Sequence, residues 1–295
     1  MLKLTGCFTA IVTPFRNGRV DHAALKKIVR FQAQNGVSGL VPCGSTGEAA
    51  TLAPEEYLAV IKTVVAAAGG LPVVPGVGTN STARSVEMVK KVSALGVDGL
   101  LAIVPYYNKP TQVGMTAHFS EMALATRLPV ILYNIPGRTG VNMLPATVLG
   151  LRRKFSNIIG IKEASGSLDQ VSELLNGSDG GFTVMSGDDS LTLPMMSVGA
   201  RGVISVVSNV APAEASRMCG LFLDGDTAGA ACVHHGLFPL IRALFAETNP
   251  IPVKYAASLL GLCLPEPRLP LTPLTMKNRA VLKKALAAAG IHKRR

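Results

Sequence analysis

The stretch NIIGIKEASG, residues 157–166, is a short apolar run that ends on a lysine, Lys162, just ahead of a turn-forming Ser-Gly pair. A few apolar residues bounded by turn signals read as a strand buried on both faces. The pattern recurs before it, in FTAIV (8–12), GLVP (39–42), PVVPGV (72–77), DGLLAIV (98–104) and PVILYN (129–134), and after it, in FTVMSG (182–187) and GVISVV (202–207). With IIGIK (158–162) the predicted strands number eight. Longer amphipathic stretches separate them. DHAALKKIVRFQAQNG opens on an aspartate cap and closes on glycine, and APEEYLAVIKTVVAAAGG opens on a proline and two glutamates, as helices do. Eight strand–helix units joined by right-handed crossovers close into a parallel barrel. The predicted fold class is therefore α/β, a (β/α)8 TIM barrel, with an open doubly wound sheet as the alternative.

After GVISVV no strand unit follows, and 227–246, 250–261 and 275–290 all read as helices joined by proline-rich turns. The expected organisation is a catalytic barrel over 1–226 and a C-terminal helical domain over 227–295.

Composition narrows the class. Hydrophobic residues make up 48% of 295 and charged residues 16%, which supplies a large core and argues against disorder. The N-terminus reads as a mature first strand, and no apolar run is long enough to span a membrane, so a soluble, cytoplasmic protein is expected. Five scattered cysteines without a C-x-x-C pair predict neither a disulfide framework nor a zinc ribbon, and the histidines lack metal-binding spacing. No metal and no cofactor are expected. The formal charge of +11 is spread along the chain rather than clustered with aromatics, which disfavours nucleic acid and suits small anionic substrates. Only the terminal HKRR is a basic run, read as a solvated tail.

In such a barrel chemistry belongs at the C-terminal ends of the strands. Candidates there are Ser45, Thr46 and Glu48 in CGSTGE, Tyr106 and Tyr107 in PYYN, Tyr133 with Arg138 beyond it, Lys162, and Asp188 with Asp189 in SGDD. If Lys162 faces inward, strand alternation turns Ile158 and Gly160 inward too, and Gly160 is expected to leave space beneath the amine. Tyr133 shares that face. A sheltered lysine loses its charge readily and can attack a ketone to form an imine; a tyrosine held by neighbouring hydroxyls can shuttle the protons, with Thr46 and Tyr107 as neighbours, and Arg138 can grip a carboxylate. Each residue also has a structural reading. Lys162 can pair with Glu163 or an aspartate, Tyr133 can be core, Ser45 to Glu48 has capping-box spacing, Arg138 can be a surface charge, and the SGDD carboxylates can cap a helix.

From FTAIVTPF through PCGSTGEAATL, VPYYNKP, ILYNIPGRTG, IIGIKEASG, SGDD and GVISV to NPIPVKYA, the chain resembles the dihydrodipicolinate synthase family of pyruvate-dependent class I aldolases. The resemblance implies that Lys162 forms an imine with pyruvate and that Tyr133 gives and takes protons. It implies that Thr46 links Tyr133 to Tyr107 of a neighbouring subunit, and that Arg138 binds the carboxylate of L-aspartate 4-semialdehyde. Ser45 and the Thr46 backbone would hold the pyruvate carboxylate, and Gly187 and Ile204 would shape the site through their backbones. A homotetramer built as a dimer of dimers follows, as does entry into diaminopimelate and lysine biosynthesis. Family synthases more often carry two threonines where this chain has Ser45 and Thr46; serine keeps the hydroxyl. N-acetylneuraminate and keto-sugar-acid lyases share GSTGE and are the nearest rival activity, with a non-catalytic pyruvate-binding barrel as a second, but Arg138 and PYYN favour the synthase. Lysine-inhibited relatives use histidines and a glutamate where this chain has Pro54, Tyr57 and Arg84; Asn80 and Tyr106 would remain. An arginine in place of a carboxylate repels a cationic ligand, so weak or absent lysine feedback is expected.

Overall fold

A computed structural model describes residues 2–292; of the basic run HKRR, all but His292 lies outside the described residues. The eight expected strands form, most of them trimmed or shifted by a residue or two: β1 Gly6–Ala10, β2 Gly39–Val41, β3 Gly76–Val77, β4 Leu100–Ile103, β5 Val130–Asn134, β6 Ile158–Glu163, β7 Thr183–Ser186 and β8 Gly202–Ser205. They lie in one sheet in the order β2-β1-β8-β7-β6-β5-β4-β3. Each registered pair is parallel. The third predicted strand, 72–77, is the most altered. Pro72 and Pro75 have no N–H to give a ladder, so only Gly76–Val77 pairs as a strand, while Val73 makes a single parallel bridge to Leu40. That bridge joins the two ends of the strand order, and the fold is a (β/α)8 barrel with helices between its strands and more at its C-terminal end.

The chain divides into two compact units, one of residues 2–5 and 74–204, the other of residues 6–73 and 205–292. The first holds β3 to β7 and most of β8. The second holds β1, β2 and the C-terminal helices Thr227–Leu244, Ile251–Leu259 and Met276–Ala288. The boundary expected at 226/227 separates kinds of element; compactness instead groups the helical tail with the first two strands.

Local chemistry sets these elements. The Asp21 carboxylate accepts from the Ala24 N–H at 2.9 Å and caps helix His22–Ala33. Pro54 opens helix Pro54–Ala67 with Glu55 and Glu56 in its first turn. In the second unit Phe8, Leu25, Leu40 and Ile61 are fully buried, and in the first Leu100, Met115, Phe119 and Met122. Gly39 is required for this packing, because a Cβ there would sit 2.3 Å from the Phe8 ring. One element was not expected from the sequence: Phe15–Arg16 pairs antiparallel with Arg19–Val20 around a turn at Asn17 and Gly18, both with positive φ. Asn-Gly is the usual signal for such a hairpin. Among the described residues no helix is long and apolar enough to cross a membrane, and no cluster of three or more histidine, cysteine or acidic side chains could hold a metal ion.

Candidate active site

Lys162 lies near the C-terminal end of β6, where its Cα registers with Tyr133 on β5 and Met185 on β7. Adjacent parallel strands in register turn paired side chains to the same face, and the Lys162 Nζ stands 4.3 Å from the centroid of the Tyr133 ring. Both are buried. The lysine pKa falls from 10.5 to about 8. Burial is the main cause; Asp189 pulls it back up, Arg138 pushes it further down, and Asp188 raises it slightly. The pull of the two carboxylates offsets the effect of burial only in part. About a tenth of such an amine is uncharged and nucleophilic at pH 7, far more than of an ordinary lysine.

Gly187 makes the room. A Cβ on it would lie 3.2 Å from Lys162 Cε and 2.6 Å from Ala164 Cβ, and its N–H donates to Glu163 O at 2.8 Å. The space beneath the amine expected from Gly160 is not there. A Cβ at Gly160 would lie 2.4 Å from the Thr183 carbonyl oxygen and 3.0 Å from Leu4 Cδ2. Gly160 registers with Thr183 on β7 and serves the close approach of that strand.

The neighbouring acid does not pair with Lys162. The Glu163 carboxylate is 1% exposed and accepts from Asn134 Nδ2, from the Ser165 N–H at 2.6 Å and from Gln170 Nε2 at 3.0 Å. Asn142 joins the same set, accepting from Asn134 Nδ2 at 2.7 Å and donating to Gln170 at 2.8 Å. This buried polar bracket behind the lysine was not recognised in the sequence; the only signal was polar residues at the ends of β5 and β6. The Asp188 carboxylate accepts from the Ser190 N–H at 2.8 Å and from its hydroxyl at 2.7 Å, which is the helix cap expected of SGDD. Asp189 is buried.

Arg138 is exposed on the short helix Pro136–Thr139, close enough to Lys162 to lower its pKa. With Tyr106, Tyr107, Lys109, Thr139 and Gly140 it lines an open cleft of about 920 Å³. Tyr107 is 88% exposed and held at φ +73, an uncommon conformation for a bulky residue; its phenol stands out from its own chain. Ile204 is buried on β8.

In the other unit the loop after β2 carries Ser45, half-buried, and Thr46, buried. Gly47 packs so tightly that a Cβ would meet Cys43 N at 3.0 Å and Ile11 O at 3.2 Å. Asn249 Nδ2 donates to the Thr46 hydroxyl oxygen at 2.9 Å. The Ser45–Glu48 capping box does not form. Glu48 has φ +53 and turns its carboxylate to Lys254 Nζ at 2.6 Å, while its other oxygen accepts from the Arg268 N–H at 2.9 Å. Neither Asn249 nor Lys254 was singled out in the sequence, although both fall in NPIPVKYA.

The profile of the dihydrodipicolinate synthetase family matches residues 3–289. The 4-hydroxy-tetrahydrodipicolinate synthase of Nitratidesulfovibrio vulgaris strain DP4 is 49% identical over 291 residues, covering 98% of this chain and all of that one. The dihydrodipicolinate synthase of Aquifex aeolicus is 42% identical with a TM-score of 0.97, covering 99% of this chain and 100% of that one. The chloride-inhibited dihydrodipicolinate synthase of Acinetobacter baumannii, solved with pyruvate, is 41% identical with a TM-score of 0.95 over 98% of this chain and 100% of that one. On its barrel, its strand-end lysine and this breadth of similarity, the chain belongs to the dihydrodipicolinate synthetase family.

Proposed function

We propose that the protein condenses pyruvate with L-aspartate 4-semialdehyde to give 4-hydroxy-tetrahydrodipicolinate, the entry to diaminopimelate and lysine. The neutral Lys162 amine attacks the pyruvate ketone carbon, water leaves, and a cationic imine forms. Loss of a methyl proton gives an enamine whose carbon attacks the aldehyde; the substrate's own amine then adds to the imine carbon and expels Lys162. Tyr133, beside the amine, carries the protons. Gly187 and Ile204 border the reacting atoms, and Arg138 receives the aldehyde's carboxylate as a planar fork. Ser45 and Thr46 enter on the strength of their motif, as holders of the pyruvate carboxylate, with Thr46 also in the proton relay. The reaction on this reading needs no cofactor beyond the covalent imine with its own substrate.

The observation that carries the proposal is the buried Lys162, with its pKa near 8, set over Tyr133 with Gly187 clearing its Cε. Similarity to relatives that bear this name, one of them solved with pyruvate, supports the choice of substrates. The exposed Tyr107 at a strained φ supports a partner subunit's site as its destination, and with it the dimer-of-dimers tetramer; a folded monomeric variant with full activity would contradict that. A cytoplasmic location fits a biosynthetic role. The test is an assay of purified protein with pyruvate and aspartate semialdehyde, coupled to reduction of the product. Turnover is expected with this pair, and cleavage of N-acetylneuraminate without condensation would overturn the reading.

A further inference from the structure

The loop 43–48 holds two non-glycine residues in the left-handed region, Cys43 at φ +56 and Glu48 at φ +53. Such residues persist only where surroundings over-determine them. Thr13 Oγ1 donates to the Gly47 carbonyl at 2.7 Å, and a stretch of chain some 200 residues away adds three bonds to the loop's side chains. Lys254 Nζ donates to Glu48 Oε1 at 2.6 Å, the Arg268 N–H donates to Glu48 Oε2 at 2.9 Å, and Asn249 Nδ2 donates to Thr46 Oγ1 at 2.9 Å. The Arg268 guanidinium adds bonds to the Thr51 carbonyl and to both Glu56 oxygens. Of the three long-range bonds, the first two hold the Glu48 carboxylate. The third falls on the one side chain in it to which the proposed chemistry gives a moving proton.

We infer that Asn249 is a positioning residue that sets the polarity of the Thr46 hydroxyl. A hydroxyl has one proton to donate and two lone pairs to accept with. With the amide N–H occupying a lone pair, the Thr46 proton is left to point away from Asn249 and serve a relay in one direction. A group at 249 that only accepts would take that proton for itself. Both residues are buried, at 5% and 4% exposure, so water is a poor substitute for the amide. The inference rests on the reading of Thr46 as part of the relay and goes beyond it by naming what orients the hydroxyl.

The test compares Asn249→Ala, Asn249→Asp, Thr46→Val and the double variants, each checked for fold by circular dichroism. Asn249→Ala is expected to lower kcat about tenfold, the worth of one buried hydrogen bond. Asn249→Asp, nearly isosteric but an acceptor, is expected to lower kcat more than alanine does, with KM for pyruvate changed less than about twofold because binding is not at stake. On a Thr46→Val background, either change at 249 should have no further effect on kcat. Equal kcat in the parent and Asn249→Asp, or an effect of the same size on both backgrounds, would overturn the inference while leaving the relay intact. Full activity in Thr46→Val would instead overturn the relay reading and the inference with it. Should the aspartate variant not fold, the alanine variant and its coupling to Thr46→Val decide the matter alone.

Discussion

Among the described residues two lysines are buried, and they have been put to opposite uses. Lys254 is fully buried, donates to Glu48 at 2.6 Å and to the Glu266 carbonyl at 2.8 Å, and lies 4.1 Å over the Phe15 ring. Lys162 is almost as deep but faces a tyrosine ring at 4.3 Å, with its adjacent acid, Glu163, bonded elsewhere and Asp188 bound to Ser190. Burial penalises the ammonium of both. What differs is compensation: Glu48 bonds Lys254 directly, whereas the pull of Asp189 and Asp188 on Lys162 offsets its burial only in part and leaves it able to become a free amine. Burial alone therefore does not mark a nucleophile.

The largest effect expected of this contrast is in turnover. Lys162→Arg replaces the amine by a cation that does not deprotonate in proteins, so kcat should fall by at least about 10³-fold, to the background left by binding alone. Lys254→Met should leave the pyruvate imine able to form in whatever protein is folded, yet strand Glu48 without its cation. Breaking a buried pair costs about 3–5 kcal/mol, to be read from urea unfolding. Lys162→Met should show the reverse, no activity and equal or greater stability near pH 7. The sign follows from the depressed pKa: below about 8 the folded state carries a poorly solvated ammonium that the unfolded chain does not penalise, and removing it relieves that cost.

A milder expectation concerns pH. The neutral fraction of the Lys162 amine falls tenfold per pH unit below its pKa, so the rate of imine trapping should climb with that slope and level off near pH 8. A slope that persists to pH 10 would place Lys162 with ordinary surface lysines. The smallest expected effect is none at all. Arg84 is exposed and cationic where a lysine-binding carboxylate would be needed, so micromolar free lysine should leave turnover unchanged; inhibition in that range would contradict this.

The contrast between the lysines also explains what was legible in the sequence. The eight strands were readable because burial on both faces writes continuous apolar runs, and Lys162 stood out because it ends one of them. The third strand was read whole over 72–77, although Pro72 and Pro75 lack the N–H that a ladder needs, and only Gly76–Val77 pairs. Which glycine clears the amine was not readable, since alternation pointed to Gly160, whose space is taken by the Thr183 carbonyl and Leu4, while Gly187 lies against Lys162 Cε. Nor were the duties of Glu48 and Thr46, whose partners lie 206 and 203 residues away along the chain. Local pattern proposed a capping box for Glu48, and a long-range ion pair prevailed. Arg138 and Tyr107 were legible as chemistry but not as geometry, because one sits on a four-residue helix and the other on a strained turn.

Borohydride reduction in the presence of pyruvate, followed by peptide mapping, tests the central claim most directly. Lys162 should carry a stable pyruvate-derived mass and Lys254 none, with turnover lost in step with labelling. Full inactivation with the label on another lysine, or sustained turnover with Lys162 absent, would contradict the account.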